Sequence, residues 1–389
     1  MDGARRTLLI VTGALLSIGM VMVYSSSFVM AEKSKGTPTY YLEHHAIYLI
    51  LGCIALAVSS IYDYHRLARH WKWFILTALV LLAAVFIPGV GACINGSRRW
   101  IKLGASLTFQ PSEAAKPLMI AGLAGWIVQT RDGIGTFTRG FLPAVVIAGS
   151  AVVLTAIEPD MGSAGLMASV FCAMLFVGGI RLTYAIPAFL IALPLTALLA
   201  YTKLGYIRSR IEDFMSGSMD ERGAAYQIVQ ALIALGSGGA TGAGLGQGHC
   251  KLLFLPEAHN DFIFASIGEE LGLVGTLTVV ALFMLFVIQG WRVARRAPDM
   301  LGTLIALGVT LCTGLQAAIN IAVVTRSMPT KGIALPFISY GGSSLIFLLA
   351  SVGLLLNVAA HPPSDAVQRD AGATPRKKGT TRLIPNPVS

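Results

Sequence analysis

The chain has 389 residues, 55% of them hydrophobic and 12% charged, with a formal net charge of +10. Soluble domains hold about 25% charged residues. Half that charge with a mean hydropathy of +0.71 excludes a water-soluble enzyme and points to a polytopic membrane protein. A membrane helix needs ~20 apolar residues, so the length accommodates roughly ten spans.

In chain order, hydropathy places spans at about 7–30, 44–61, 73–90, 112–129, 142–157, 163–180, 183–202, 262–290, 301–325 and 342–360. The first exceeds a signal-peptide core and is followed by no small-residue cleavage pattern, so it is expected to remain as a helix. Cys53, Cys172 and Cys312 fall inside spans and are expected to pack there. Cys93 and Cys250 fall in polar loops on one face, where sequence leaves their pairing open. The connections 63–72, 130–140 and 291–299 are basic, as is the tail with Arg376, Lys377 and Lys378. The positive-inside rule assigns them, and with them both termini, to the cytoplasm. Residues 1–360 therefore read as one integral membrane domain, and 361–389 as a disordered basic cytoplasmic tail.

The opposite face holds loops 33–41, 91–111, 203–261 and 326–341. These also carry cations, among them Arg98, Arg99, Lys102, Arg208, Arg222, Lys251 and Lys331. Cations kept against the topological bias favour an anionic ligand on the outer face; contact with lipid headgroups is the competing reading. The 203–261 loop is longer than the ~12–15 residues beyond which loops carry function or structure. Within it Tyr226–Leu235 predicts an amphipathic or re-entrant helix. The glycine-rich run Gly236–Gly248 allows close backbone approach and matches neither nucleotide-binding glycine pattern.

Four polar clusters lie at the outer ends of the spans. Asn95-Gly-Ser-Arg-Arg-Trp100 precedes Gln110-Pro-Ser-Glu113, with Lys116 three residues beyond Glu113 and on the same helix face. Charges placed inside a membrane bundle are functional candidates, with a structural clamp as the alternative. Glu158-Pro-Asp160 offers two carboxylates that either hold a divalent cation or cap the next helix. Glu257, His259 and Asp261 open the eighth span, where Asp261 is either a helix cap or a working base. Lys331, with Ser343 and Ser344 at the start of the last span, suits a phosphate. Together these imply a cation-lined cavity open to the outer leaflet. A substrate with a lipid tail and a phosphorylated head would fit it. No zinc-protease motif and no ATPase module is present in the sequence.

Asn95–Trp100, Gln110–Glu113, Glu158–Gly162, Leu255–Phe262 and Ile338–Ser344, in this order over ten expected spans, resemble the SEDS family (shape, elongation, division and sporulation). Pro256-Glu-Ala-His259 and Pro329-Thr-Lys-Gly332 look like its division branch, the FtsW type. Ser237-Gly-Gly-Ala-Thr241 departs from the branch pattern. The resemblance implies an all-α fold of about ten transmembrane helices, with a large extracytoplasmic loop between the seventh and eighth. It implies a glycosyltransferase that polymerises lipid II into peptidoglycan at the outer face of the bacterial cytoplasmic membrane, at the division septum. It further implies a divalent cation (Mg or Mn), a class B penicillin-binding transpeptidase, other divisome proteins and membrane lipids as partners, and no nucleic acid. Asp261 matches the catalytic carboxylate, and Arg99, Trp100, Glu113, Lys116, Asp160 and Lys331 match further functional positions. Arg208, Ser343 and Ser344 complete the candidate substrate contacts, with Asp160 and Glu257 as candidate metal ligands. An elongation-type polymerase, a lipid II flippase and a non-catalytic scaffold are the alternatives.

Overall fold

The structure is a computed structural model that describes residues 2–94, 97–103, 107–188, 190, 205, 224–248, 258–329 and 331–361. Helices α1 (Asp2–Lys35), α2 (Tyr40–Ile61), α3 (Tyr64–Arg69) and α4 (Trp71–Ala84) lead into a small sheet. Its strands β1 (Gly91–Ile94), β2 (Ser97–Leu103) and β3 (Leu107–Phe109) are antiparallel in the order β1-β2-β3. Then follow α5 (Pro111–Gln129), α6 (Leu142–Ile157), α7 (Met161–Val177), α8 (Ala224–Ser237), α9 (Ile263–Arg295), α10 (Met300–Val324) and α11 (Ser343–Ala360).

Among the described residues, six helices are long and apolar enough to cross a membrane: Gly3–Lys35, Tyr40–Ile61, Phe137–Ile157, Ile263–Arg295, Met300–Val324 and Ser343–Ala360. Two expected spans are shorter apolar helices, since the third ends at Ala84 and the sixth is Met161–Val177. The fourth is α5, whose residues are nearly all buried inside the bundle. Most of the seventh, like Arg208, Glu257, Cys250 and the tail beyond residue 361, lies outside the described residues. The sheet was not anticipated, although Asn95-Gly96 between two short runs is a hairpin signal in the sequence.

Helix packing follows membrane chemistry. Ile10, Ile50, Val58, Val146 and Val274 point outward, as lipid-facing residues do, while Tyr64, Phe171, Phe286 and Phe337 are fully buried. Cys53 and Cys172 are exposed on helix faces rather than packed inside, a correction to the expectation for them. Small residues let helices approach closely without a hydrophobic driving force. At Gly353 of α11 a side chain would collide with Ser59 and Leu56 of α2, and Ser59 Oγ donates to Ala350 O at 2.9 Å.

The glycine run proves to be a packing device. Helix α9 is broken at Gly272 (φ 67°, ψ −161°), which frees backbone groups inside the bundle. The loop after α8 satisfies them: Ala243 N donates to Glu269 O (2.9 Å), Gly244 N to Glu270 O (3.0 Å) and Leu273 N to Gly239 O (2.9 Å). Irregular backbone is tolerated at such depth only when protein groups take up its hydrogen bonds. A side chain at Gly238 or Gly242 would run into the carbonyls of Gly268 or Glu270, so backbone must meet backbone here.

Candidate active site

The sheet, the starts of α5, α7 and α11, the turn before α9 and the segment 331–341 converge at one end of the bundle. They enclose an open cavity of about 260 Å³. Strand β2 contributes Arg99 and Trp100, α5 contributes Glu113, the turn before α9 contributes Asn260 and Asp261, and α11 contributes Ser344. Residues far apart in sequence are thus gathered, and five of the predicted site residues share one wall.

Asp261 is held by its backbone. Asn320 Nδ2 of α10 donates to Asp261 O at 2.8 Å, Ser339 Oγ to Asn260 O at 2.7 Å, and Tyr340 N to His259 O at 3.0 Å. The N-cap of α9 is Phe262 and no side chain caps it, so Asp261 is not a helix cap. A Cβ on Gly332 would stand 2.9 Å from Asp261 Oδ2 and 4.0 Å from Arg99 Nη2. Carboxylate and guanidinium therefore border the same gap, which the missing side chain keeps open. Arg99 Nε is buried and has no hydrogen-bond partner among the described residues. His259 is a packing group, with Tyr41 and Tyr340 at ring-centroid distances of 4.8 and 5.9 Å.

An inner cavity, lined by Pro117, Phe337, Leu345, Phe347 and Leu348, adjoins the first and shares Glu113, Ala334 and Ser344 with it. Lys116 closes its polar side. The ammonium lies 2.7 Å from Glu113 Oε1 and donates to Gln316 Oε1 at 3.0 Å. Gln316 Nε2 donates to Ala334 O (3.0 Å), and Asn320, one turn on, donates to Ile333 O (2.7 Å). Two amides on one face of α10 thus tie the ion pair, the 331–334 segment and Asp261 into a single frame. Sequence reading missed both, although amides at i and i+4 in an apolar span are a legible signal.

Asp160, Ser343 and Lys331 sit beside the cavity rather than in its wall. Asp160 caps α7 through Ser163 N (3.1 Å) and accepts from Gln110 Nε2 and Ser112 Oγ, each at 3.1 Å. Ser343 Oγ accepts from Gln110 N at 3.1 Å, and Ser344 Oγ donates to Gly341 O at 2.8 Å. Lys331 is half-buried, and burial lowers its pKa below the ordinary lysine range. Glu158, fully buried with both carboxylate oxygens unpartnered among the described residues, is pushed up to about 8 by burial and then by Asp160. Asp160 Oδ1 is engaged by the α7 cap and Oδ2 by the Gln110–Ser112 pair. Among the described residues no trio of acidic, histidine or cysteine ligands gathers at this cavity.

A family model described as cell cycle protein, FtsW/RodA/SpoVE, matches residues 6–363. A protein of Geobacter sp. strain M18, described as a "probable peptidoglycan glycosyltransferase FtsW", is 41% identical over 360 residues, covering 92% of this chain and 98% of the relative. Stage V sporulation protein E of Bacillus subtilis is 39% identical over 354 residues, covering 91% and 96%. Among solved structures, a chain of a peptidoglycan synthase complex that coordinates polymerization and crosslinking superposes with a TM-score of 0.74 at 25% identity, covering 90% of this chain and 96% of that one. The rod shape determining protein RodA of Thermus thermophilus gives 0.65 at 26% identity, covering 90% and 95%.

Proposed function

The chain belongs to the FtsW/RodA/SpoVE family of cell cycle proteins, and from that premise we propose that it is a peptidoglycan glycosyltransferase polymerising lipid II into β-1,4 glycan strands. The observation that carries this reading is the gap shared by Asp261 and Arg99 in an open cavity of about 260 Å³. A lipid-linked sugar pyrophosphate needs both features at one open site: a base for the acceptor hydroxyl and a cation for the leaving group. Asp261 takes the proton from the acceptor sugar's 4-hydroxyl as that oxygen attacks the donor's anomeric carbon. The bond to the pyrophosphate breaks on the opposite face, which inverts the anomeric centre. General-base assistance is typically worth ~10²–10⁴-fold. The Arg99 guanidinium neutralises charge growing on the departing pyrophosphate, with Lys331 as a second cation held near the cavity.

A divalent cation, which the family resemblance implies, is proposed to arrive with the pyrophosphate it neutralises; no step above passes through it. The chain is a multi-pass membrane protein, and the reading places both termini in the cytoplasm and the protein at the division septum. A class B penicillin-binding transpeptidase and other divisome proteins are its proposed partners. The superposition on a chain of a complex that couples polymerization to crosslinking supports the first of these.

The test is Asp261→Asn, assayed with labelled lipid II on a gel using purified protein and its partner transpeptidase. Glycan polymer should vanish while the protein still inserts and purifies as wild type. Polymer at the wild-type rate would sink the assignment of Asp261. Translocation of lipid II by the wild-type protein without any polymer would instead support a flippase.

A further inference from the structure

At the end of the bundle opposite the cavity, two turns and a helix terminus bring two histidines and two aspartates together. Asp63 is the N-cap of α3, accepting from His65 N at 2.9 Å, and its Oδ1 lies 2.7 Å from His65 Nδ1. On the other side of the ring, His65 Nε2 is 2.6 Å from Asp299 Oδ2. Asp299 is itself fixed, since Oδ2 accepts from the Tyr64 hydroxyl at 3.0 Å and Oδ1 from Gly302 N at 2.7 Å as the cap of α10. His361 follows the last residue of α11, and its Nδ1 lies 2.9 Å from Asn357 O. The two imidazoles meet edge to face with centroids 5.7 Å apart.

The hydrogen bonds decide which nitrogens are available. A carbonyl oxygen can only accept, so His361 Nδ1 carries the proton and Nε2 presents a lone pair. His65 donates from Nε2 to Asp299, which leaves Nδ1 facing Asp63. Each ring thus has one nitrogen held by an outer acceptor, which leaves His65 Nδ1 beside Asp63 and a lone pair on His361 Nε2. That is the carboxylate–histidine and carbonyl–histidine support usually found behind metal-bound imidazoles. One ligand atom each from Asp63, His65 and His361 lies within 4.8 Å of the others.

We propose that Asp63, His65 and His361 form a binding site for a divalent transition-metal ion of the borderline class, such as Zn²⁺ or Co²⁺, with Asp299 and Asn357 O as the outer supports. Ligand atoms in a tetrahedral site with bonds of ~2.0–2.1 Å stand about 3.4 Å apart. The widest separation, up to 4.8 Å, must therefore shrink by roughly 1.4 Å and the 2.7 Å Asp63–His65 contact must widen, adjustments that rotation of the His361 and Asp63 side chains supplies. Three protein ligands on an open face leave positions for water. Binding would clamp the α2–α3 turn to the end of α11, where the basic tail begins.

The experiment uses full-length, tag-free protein in detergent, stripped with a chelator and titrated with Co²⁺. Saturable one-to-one binding with visible d–d absorption, displaced by Zn²⁺, is expected, together with a rise in melting temperature on Zn²⁺ addition. His65→Ala and His361→Ala should each abolish the absorption. Asp299→Asn should keep it with affinity lowered ~10–100-fold. Absence of saturable binding, or binding unchanged in the His65→Ala/His361→Ala protein, would overturn the proposal. Should His65→Ala fail to purify, His361→Ala decides alone, because that residue lies past the end of α11.

Discussion

Asn320→Leu tests whether the frame around Asp261 matters as much as the carboxylate itself. The substitution keeps the branched shape of a side chain that is 2% exposed and removes its two donated bonds. The bond to Ile333 O is buried and the one to Asp261 O half-buried, at 2.7 and 2.8 Å. A buried acceptor left without its donor costs ~1–3 kcal/mol, and an ordinary bond contributes ~0.5–1.5 kcal/mol, so the loss is about 2–4 kcal/mol. Helix α10 is held independently by packing against α5, α7, α9 and α11. The loss therefore falls on the two segments that Asn320 joins, not on the bundle. At 1.36 kcal/mol per tenfold in rate, turnover should drop by roughly 30- to 1000-fold. KM for lipid II should change less, because Arg99 stands on strand β2, to which Asn320 donates neither of its bonds. Single-turnover polymerisation of labelled lipid II separates the two parameters, and a melting curve reports the fold. Wild-type turnover would refute the reasoning, as would a loss of activity that merely follows a collapsed melting temperature.

Two further outcomes follow from buried charge. Lys116→Met strands Glu113 without its partner and should destabilise the protein by ~3–5 kcal/mol; adding Glu113→Gln should recover much of that in thermal unfolding, and equal instability of single and double variants would contradict it. Burial holds the Glu158 carboxyl protonated up to about 8, so the unfolded chain loses its proton first as pH rises. Stability should be unaffected by this group below the ordinary glutamate range and should decline from there to about pH 8. Glu158→Gln should flatten that decline, and melting temperatures measured across the range check it; an unchanged slope would show that Glu158 does not titrate as described.

Much of the site was legible because the residues that do chemistry are rare in an apolar chain. Asp261, Arg99, Glu113 and Lys116 stand out against long hydrophobic stretches, and the 3.6-residue period alone pairs the last two. The sheet went unread because strands of three to seven residues in a polar loop carry little periodicity. The glycine run could be recognised as a place of close backbone approach, but not matched to its partner. That partner is a helix break at Gly272, more than twenty residues away, and only the packed chain shows which carbonyls need the amides.

Composition by itself determined a helical membrane protein, since an apolar backbone environment admits few ways to satisfy hydrogen bonds. The tertiary structure decided the rest: that Asp261 does not cap α9, that Asp160 does cap α7, and that Gln316 and Asn320 hold the frame. A carboxylate's role depends on which donors reach its oxygens. Those donors come from other helices, at distances that spacing along the chain does not encode.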